Sequence, residues 1–269
     1  MTLADVAQAM SWAAALGWNP GKFDAECYAE VDPHGFFICE LDGEPVGCVS
    51  AVAYNESYGF LGMYLVKPEI RNRQAGLLLG LAAKRYLGNR IIGADSVLER
   101  IDNYKRMGGK LAYHHWRYEA TGGGEVPDGV VDLNTVPFDT LLAYDNQLFP
   151  APRPNFLRRW ISQPEGAAYG VISGDGLAGY GVIRACLTGY KIGPLFADTP
   201  EIAELLYRAL AARVPGQQIY LDIPEPNAAA QQLVERYHMT KVFVTGRLYN
   251  KEVPLPLDRI YAITSLELG

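Results

Sequence analysis

Apolar positions return along this chain with two different periods, and the changes of period mark its elements. From Leu3 to Leu16 they recur every three or four residues behind Thr2, which predicts a capped helix. The run Gly17 to Gly21, with Pro20 inside it, ends that helix, and a short one follows over Phe23 to Ala29. Phe36 to Leu41, the turn Asp42-Gly43 and Val46 to Tyr54 predict a hairpin, because Asp-Gly supplies the positive φ angles of a tight turn. A strand over Phe60 to Val66 runs into Pro68. A helix from Leu77 to Leu87, a strand from Arg90 to Ala94, a helix from Ile101 to Met107 and a strand from Lys110 to Glu119 complete the first half.

The same order then returns. Thr121 to Gly129 crowds glycine and proline between ordered segments and reads as a linker, so the chain divides into residues 1–120, a linker over 121–128 and residues 129–269. A turn-bearing pair spans Tyr169 to Arg184, a helix starts at Thr199-Pro200, Gln218 to Ile223 is a strand, Asn227 to Tyr237 a helix, and Lys241 to Tyr249 a strand. Asp42-Gly43 and Asp175-Gly176 open equivalent hairpins, while Arg117-Tyr118 and Arg247 to Tyr249 lie in equivalent closing strands, so duplication is the economical account. The expectation is an α+β fold of two tandem domains, each a central, mostly antiparallel mixed sheet flanked by helices, folding as separate sandwiches.

Composition narrows the function more than the fold. The 269 residues are 49% apolar and 20% charged, a globular balance. A net charge of -6 with no basic run argues against nucleic acid as partner. The apolar run Leu77 to Ala83 is broken by Gly80 and too short to span a bilayer, and the start at Met1 has no signal pattern; a cytoplasmic protein with no membrane partner is expected. Cys27, Cys39, Cys48 and Cys186 lack the paired spacing of a zinc site and read as reduced core residues. His114 and His115 are neighbours in a strand and face opposite ways, so no metal site is predicted.

The segment that carries chemistry runs from Met63 to Leu79: a strand, a compact polar turn and a helix. Such a turn aims backbone N–H groups and the positive end of a helix dipole at one point, which suits a pyrophosphate. Arg71 and Arg73 add charge beside it, and Gly76 lets a ligand approach the backbone. A solvated strand-to-helix turn is the plainer reading of the same residues.

This segment resembles the coenzyme A loop of the GCN5-related N-acetyltransferases (GNAT), with Arg71 and Gly76 matching its pattern and Gln74 standing where the family has its central glycine. Tyr104, four residues before Gly108-Gly109, matches the family's helix tyrosine and first glycine, though not the phenylalanine that comes after. The chain is more closely similar to a tandem subfamily of YitH-type acetyltransferases with a GNAT-like C-terminal domain, through Gly17 to Pro20, Asp32 to Phe37, Asp42 to Gly47, Arg117 to Glu119, Gly189 to Leu195, Leu221 to Asn227 and Thr245 to Tyr249.

The resemblance implies an acyl-CoA-dependent N-acyltransferase, with acetyl-CoA as co-substrate, no metal, and a small-molecule or peptide amine as acceptor. It implies a donor site of Leu65, Val66, Arg71, Asn72, Arg73, Gln74, Ala75, Gly76 and Leu77, with Tyr104 protonating the departing thiolate unless it merely packs its helix on the sheet. Asp95 reads as a general base or as a helix cap, and His34 as a solvated turn residue or a catalytic one. The second half has no arginine pair at the equivalent turn, and Val234 stands where Tyr104 stands in the first. The alternative function is a non-catalytic acyl-CoA or ligand-binding protein on a degenerate scaffold of the same kind.

Overall fold

A computed structural model describes residues 1–70 and 74–269. Helix α1 (Leu3–Ala15) opens with a reciprocal cap: Thr2 Oγ1 accepts from the Asp5 N–H while the Asp5 carboxylate accepts from the Thr2 N–H at 2.6 Å. Its buried positions Val6, Ala9, Met10 and Ala13 are the stripe that the spacing predicts. There follow α2 (Asp24–Ala29), β1 (Phe36–Leu41), β2 (Glu44–Ala53), β3 (Tyr58–Val66), α3 (Ala75–Leu87), β4 (Ile91–Val97), α4 (Ile101–Arg106) and β5 (Lys110–Thr121). Asp42 and Gly43 take φ values of 54° and 83°, the turn that joins β1 to β2.

The second half comprises β6 (Val131–Asp132), α5 (Phe138–Asp145), α6 (Pro154–Trp160), β7 (Ala167–Ser173), β8 (Gly176–Ala185), β9 (Tyr190–Ala197), α7 (Pro200–Ala212), β10 (Gln218–Pro224), α8 (Ala228–Arg236), β11 (Thr240–Tyr249) and β12 (Ile260–Ala262). Thr199 caps α7 and Asn227 caps α8, each side chain accepting from a backbone N–H of the first turn. Among the described residues no helix is long and apolar enough to cross a membrane.

The strands form one sheet of order β1-β2-β3-β4-β11-β5-β10-β9-β8-β7-β6, with β12 added against β9. Among the described residues only β3 with β4 and β9 with β10 pair in parallel; the other pairs are antiparallel. The closing strand of each half therefore sits in the other half. β11 lies against β4, β5 lies against β10, and the two closing strands pair with each other at the centre. The expectation of two separate sandwiches is corrected on this point. Periodicity marks where a strand is but not which edge it joins, and both closing strands carry the same pattern. The interior is shared too: Val6, Met10, Tyr28, Phe36 and Met63 pack in one cluster with Leu141, Phe156, Trp160, Tyr180 and Leu268.

Residues 1–120 produced alone lack β11 and would present the free edge of β4 with Asp95 stripped of its partner. They are expected to show no cooperative thermal transition by circular dichroism. A fragment melting as sharply as the whole chain would contradict the strand exchange.

Candidate active site

The site is built where β3 and β4 part. Their parallel pairing runs from Tyr58 opposite Ile91 to Leu61 opposite Ala94 and stops. Just beyond, β3 carries an extra residue relative to β2: Gly62 faces Ser50 and Leu65 faces Cys48, with Met63 at φ 44°. A bulge bends its strand and re-aims the residues after it. The result is a fork with Leu65 and Val66 on one arm and Asp95 to Val97 on the other.

Helix α3 begins beyond the first arm. Gln74 holds the N-cap position in a left-handed conformation, φ 63°, and its side chain caps none of the N–H groups of the first turn at Ala75, Gly76 and Leu77. Among the described residues a Cβ added to Gly76 would meet nothing nearer than Val66 Cγ2 at 3.8 Å, so their packing does not require a glycine there. Arg71, Asn72 and Arg73 lie outside the described residues. The left-handed backbone disfavours a residue with a Cβ, and the gain on relieving this exceeds the entropy that glycine costs the folded chain. Gln74→Gly is therefore expected to raise stability by roughly 0.5–1 kcal/mol. An unchanged or lower melting temperature would contradict this.

Tyr104, on α4, packs against the cluster of Val49, Ala51, Leu61, Leu79, Ala83, Leu87 and Ala94 that lies between α3 and the sheet. Burial first, then the neighbouring Tyr64 and Asp95, push its phenol well above the ordinary tyrosine value, so it stays protonated at neutral pH. Its hydroxyl has no hydrogen-bond partner among the described residues. Tyr64, which the sequence did not single out, ties the fork to α3: its hydroxyl donates to the Gly76 carbonyl. Gly80 leaves the room, since a Cβ there would fall 2.6 Å from the Tyr64 oxygen. The turn after Tyr104 is closed by Gly108 at φ 97° and by the Gly109 N–H donating to the Tyr104 carbonyl at 3.0 Å.

Asp95 is neither a helix cap nor a free base. It lies opposite Arg247 in the β4–β11 register, and the guanidinium grips both carboxylate oxygens at 2.7 and 3.1 Å. The Nδ1 of His115 lies 2.9 Å from its Oδ1, and the Asp95 side chain is 1% exposed. Burial works to raise its pKa, but Arg247 and then His115 outweigh it and hold the carboxyl below its ordinary value. Both oxygens of the ionised carboxylate are thus engaged by Arg247 and His115. Sequence reasoning misses His115 and Arg247 as site residues. Along the chain Arg247 stands out only as a mark of the repeat, and His115 only as one of two neighbours facing opposite ways. His114 does point elsewhere, to Glu225 Oε2 at 2.9 Å, and His34 is exposed in its turn.

The second half has the same fork, filled. Parallel pairing of β9 and β10 ends at Ile192 opposite Leu221, and β12 enters the gap, with Ile260 facing Phe196, Ala262 facing Leu195 and the Ile263 N–H donating to the Asp222 carbonyl at 3.0 Å. Pro200 at the start of α7 removes one N–H from that helix end, and Val234 is buried in α8. Among the described residues no group of three or more metal-ligating side chains gathers.

A strand fork facing a helix start, present twice in one chain, defines a tandem GNAT architecture. The family model described as acetyltransferase (GNAT) family matches residues 3–108, and that described as acetyltransferase (GNAT) domain matches residues 141–262. The chain is 32% identical to a holothin acyltransferase from Pseudoalteromonas sp. (strain SANK 73390) over 96% of its own length and 89% of that protein's. A putative acetyltransferase from Pyrococcus horikoshii has the same fold, with a TM-score of 0.85 at 23% identity, covering 100% of this chain and 94% of that one. A tandem GNAT protein of the clavulanic acid biosynthesis pathway matches with a TM-score of 0.65 at 13% identity over 94% and 98% of the two chains. The chain belongs to the GNAT acyltransferases, as a tandem member.

Proposed function

We propose that the chain is an acyl-CoA-dependent N-acyltransferase, with acetyl-CoA as donor and a primary amine of a small molecule or peptide as acceptor, reacting by direct attack in a ternary complex. The observation that carries this reading is the contrast between the two forks: among the described residues no strand enters the first, which lies beside the start of α3, whereas β12 fills the second. In this reading Leu65 and Val66 offer backbone groups to the pantetheine arm. Arg71 to Leu77 hold the pyrophosphate, Gln74 contributing its N–H in place of the family's glycine. Residues 1–120 supply the donor site, and residues 129–269, across the connection at 121–128, supply the strand that closes the sheet beside it.

The chemistry needs a carbonyl to be attacked by a neutral amine and a proton for the sulfur that leaves. Tyr104 is the donor of that proton, kept loaded by its burial. Asp95 acts through Arg247 and His115 rather than on substrate. Incubation with acetyl-CoA and a panel of primary amines, followed by mass spectrometry, is expected to show one acetyl group added to a subset of them. Binding of acetyl-CoA without transfer to any amine would remove the catalytic reading and leave a ligand-binding protein.

A further inference from the structure

The buried arginines of this chain are each gripped by a carboxylate: Arg117 by Asp222, Arg153 by Asp145, Arg184 by Asp24 and Arg247 by Asp95. Lys191 and Glu267 are not matched in this way. Both are buried, and among the described residues neither has an ion-pair partner. The Lys191 ammonium has three N–H donors, and the bond it makes is to the Trp18 carbonyl at 3.2 Å. Among the described residues the Glu267 carboxylate accepts from the Tyr28 hydroxyl alone, at 3.1 Å. Burial first, then Arg117, pull the Lys191 ammonium below its ordinary pKa, and Glu267 is near enough to work against them.

Glu267 lies at the first fork. It belongs to the segment that follows β12, and after filling the second fork the chain crosses to β3: a Cβ on Gly62 would run into the Glu267 carbonyl oxygen, and the Tyr54 hydroxyl donates to the Leu268 carbonyl at 2.8 Å. Gly62 comes directly after Leu61, the last β3 residue paired with β4, and it begins the bulge. Leu61 packs under α3, so Gly62, and Glu267 upon it, lie on the opposite face of the sheet from that helix. Lys191 comes from β9 in the other half, and its bond to Trp18 reaches the turn that ends α1.

Two opposite charges held near each other in a poorly solvated interior, yet not paired, forgo the attraction that would offset their desolvation. A molecule that carries both charges and bridges them restores it. The pair is not sealed off: Lys191, Glu267, Asp222 and Arg117 keep 4%, 7%, 7% and 8% of their surface exposed, whereas Asp24 and Arg184 keep 1% each. Arg117 and Asp222, which stand near Glu267 and Lys191, already neutralise each other, so the charges left for a ligand are one positive and one negative.

Resting on the donor-site reading above, we propose that Glu267 and Lys191 are the two poles of the acceptor site, and that the acceptor is a small amine that also carries a carboxylate, an amino acid or a close analogue. Its nitrogen is held at Glu267, beside Gly62 where the fork begins, and its carboxylate takes the free N–H donors of Lys191. The nitrogen is thereby the end presented to the thioester. An amine without the carboxylate, or with it converted to an amide, leaves the Lys191 charge unmatched.

The test uses the full chain with acetyl-CoA as donor and the common amino acids, β-alanine and γ-aminobutyrate as acceptors, each beside its own primary amide, with the acetylated product measured by mass spectrometry. The inference predicts acetylation of one or more of the amino acids, with kcat/KM about 10²-fold or more above that of the matched amide. Lys191→Met should raise KM for the amino acid and bring this ratio near one, while the calorimetric affinity for acetyl-CoA stays within about twofold. A lysine that merely packs would leave the ratio where it was. The substitution keeps the length of the side chain and removes a buried charge, so the variant is expected to fold. Should it not fold, the wild-type ratio decides: a ratio near one, or in favour of the amide, overturns the inference. So does a folded Lys191→Met protein that keeps the preference, or a wild-type chain that binds acetyl-CoA but acetylates no amino acid; in those cases the donor-site reading still stands. A wild-type chain that binds no acetyl-CoA removes both.

Discussion

Tyr104→Phe is expected to depress turnover on the order of 10²-fold or more while changing acetyl-CoA affinity little. The thiolate needs its proton only as the tetrahedral intermediate collapses, so the hydroxyl is used in the transition state and not in the bound ground state. The structure supplies the conditions for such a group: burial keeps the phenol protonated, and no described residue occupies its hydroxyl. The ring of phenylalanine would still pack against the same apolar cluster under α3, so the fold has no reason to change. Single-turnover acylation of an amine, measured beside calorimetric binding, separates the two quantities. A Phe variant that turns over normally would leave Tyr104 as packing alone.

The largest stability effect is expected at the other end of the site. Arg247→Met leaves the Asp95 carboxylate, 1% exposed, with His115 as its remaining partner, and should cost about 3–5 kcal/mol at neutral pH. The pH dependence has a definite sign. In the wild type the Asp95 pKa is held down, so its contribution is present above the unfolded-state value near 3.8 and lost as pH falls through the folded-state value. In the variant burial is opposed by His115 alone and the carboxyl pKa moves up, so protonation relieves the cost and the difference from wild type shrinks as the pH is lowered. The double variant Asp95→Leu with Arg247→Met should recover much of the loss, because it leaves no stranded charge. Urea unfolding across this pH range checks all three statements. An Arg247→Met chain as stable as wild type would show that the strand exchange does not rest on this pair.

Much of the first half was legible because its signals are local. Thr2 as helix cap, the Asp42-Gly43 turn and the spacing of α1 each act within a few residues, and the structure places all three as read, adding Asp5 as the partner of Thr2. The α+β tandem architecture was legible from order alone. Pairing between residues far apart in the chain was not legible. Arg247 reaches Asp95 across 152 positions and His115 reaches it across 20, and nothing in either local sequence marks the partner. The same holds for β9, where Gly193 and Pro194 interrupt a strand pattern that the neighbouring β8 and β10 nevertheless hold in place. It holds equally for β12, whose three residues are a strand only because a fork awaits them. Asp95 stands out in the sequence as a carboxylate at the end of a strand, but its locked state comes from an arginine that the sequence places in the other half.

Titration calorimetry of the whole chain with acetyl-CoA tests the central claim most directly. The account predicts one equivalent bound per chain, at the open fork, and a sharp loss of affinity in Arg71→Glu, which sets a negative charge against the pyrophosphate. Two equivalents per chain, or equal affinity in the wild type and Arg71→Glu, would contradict it.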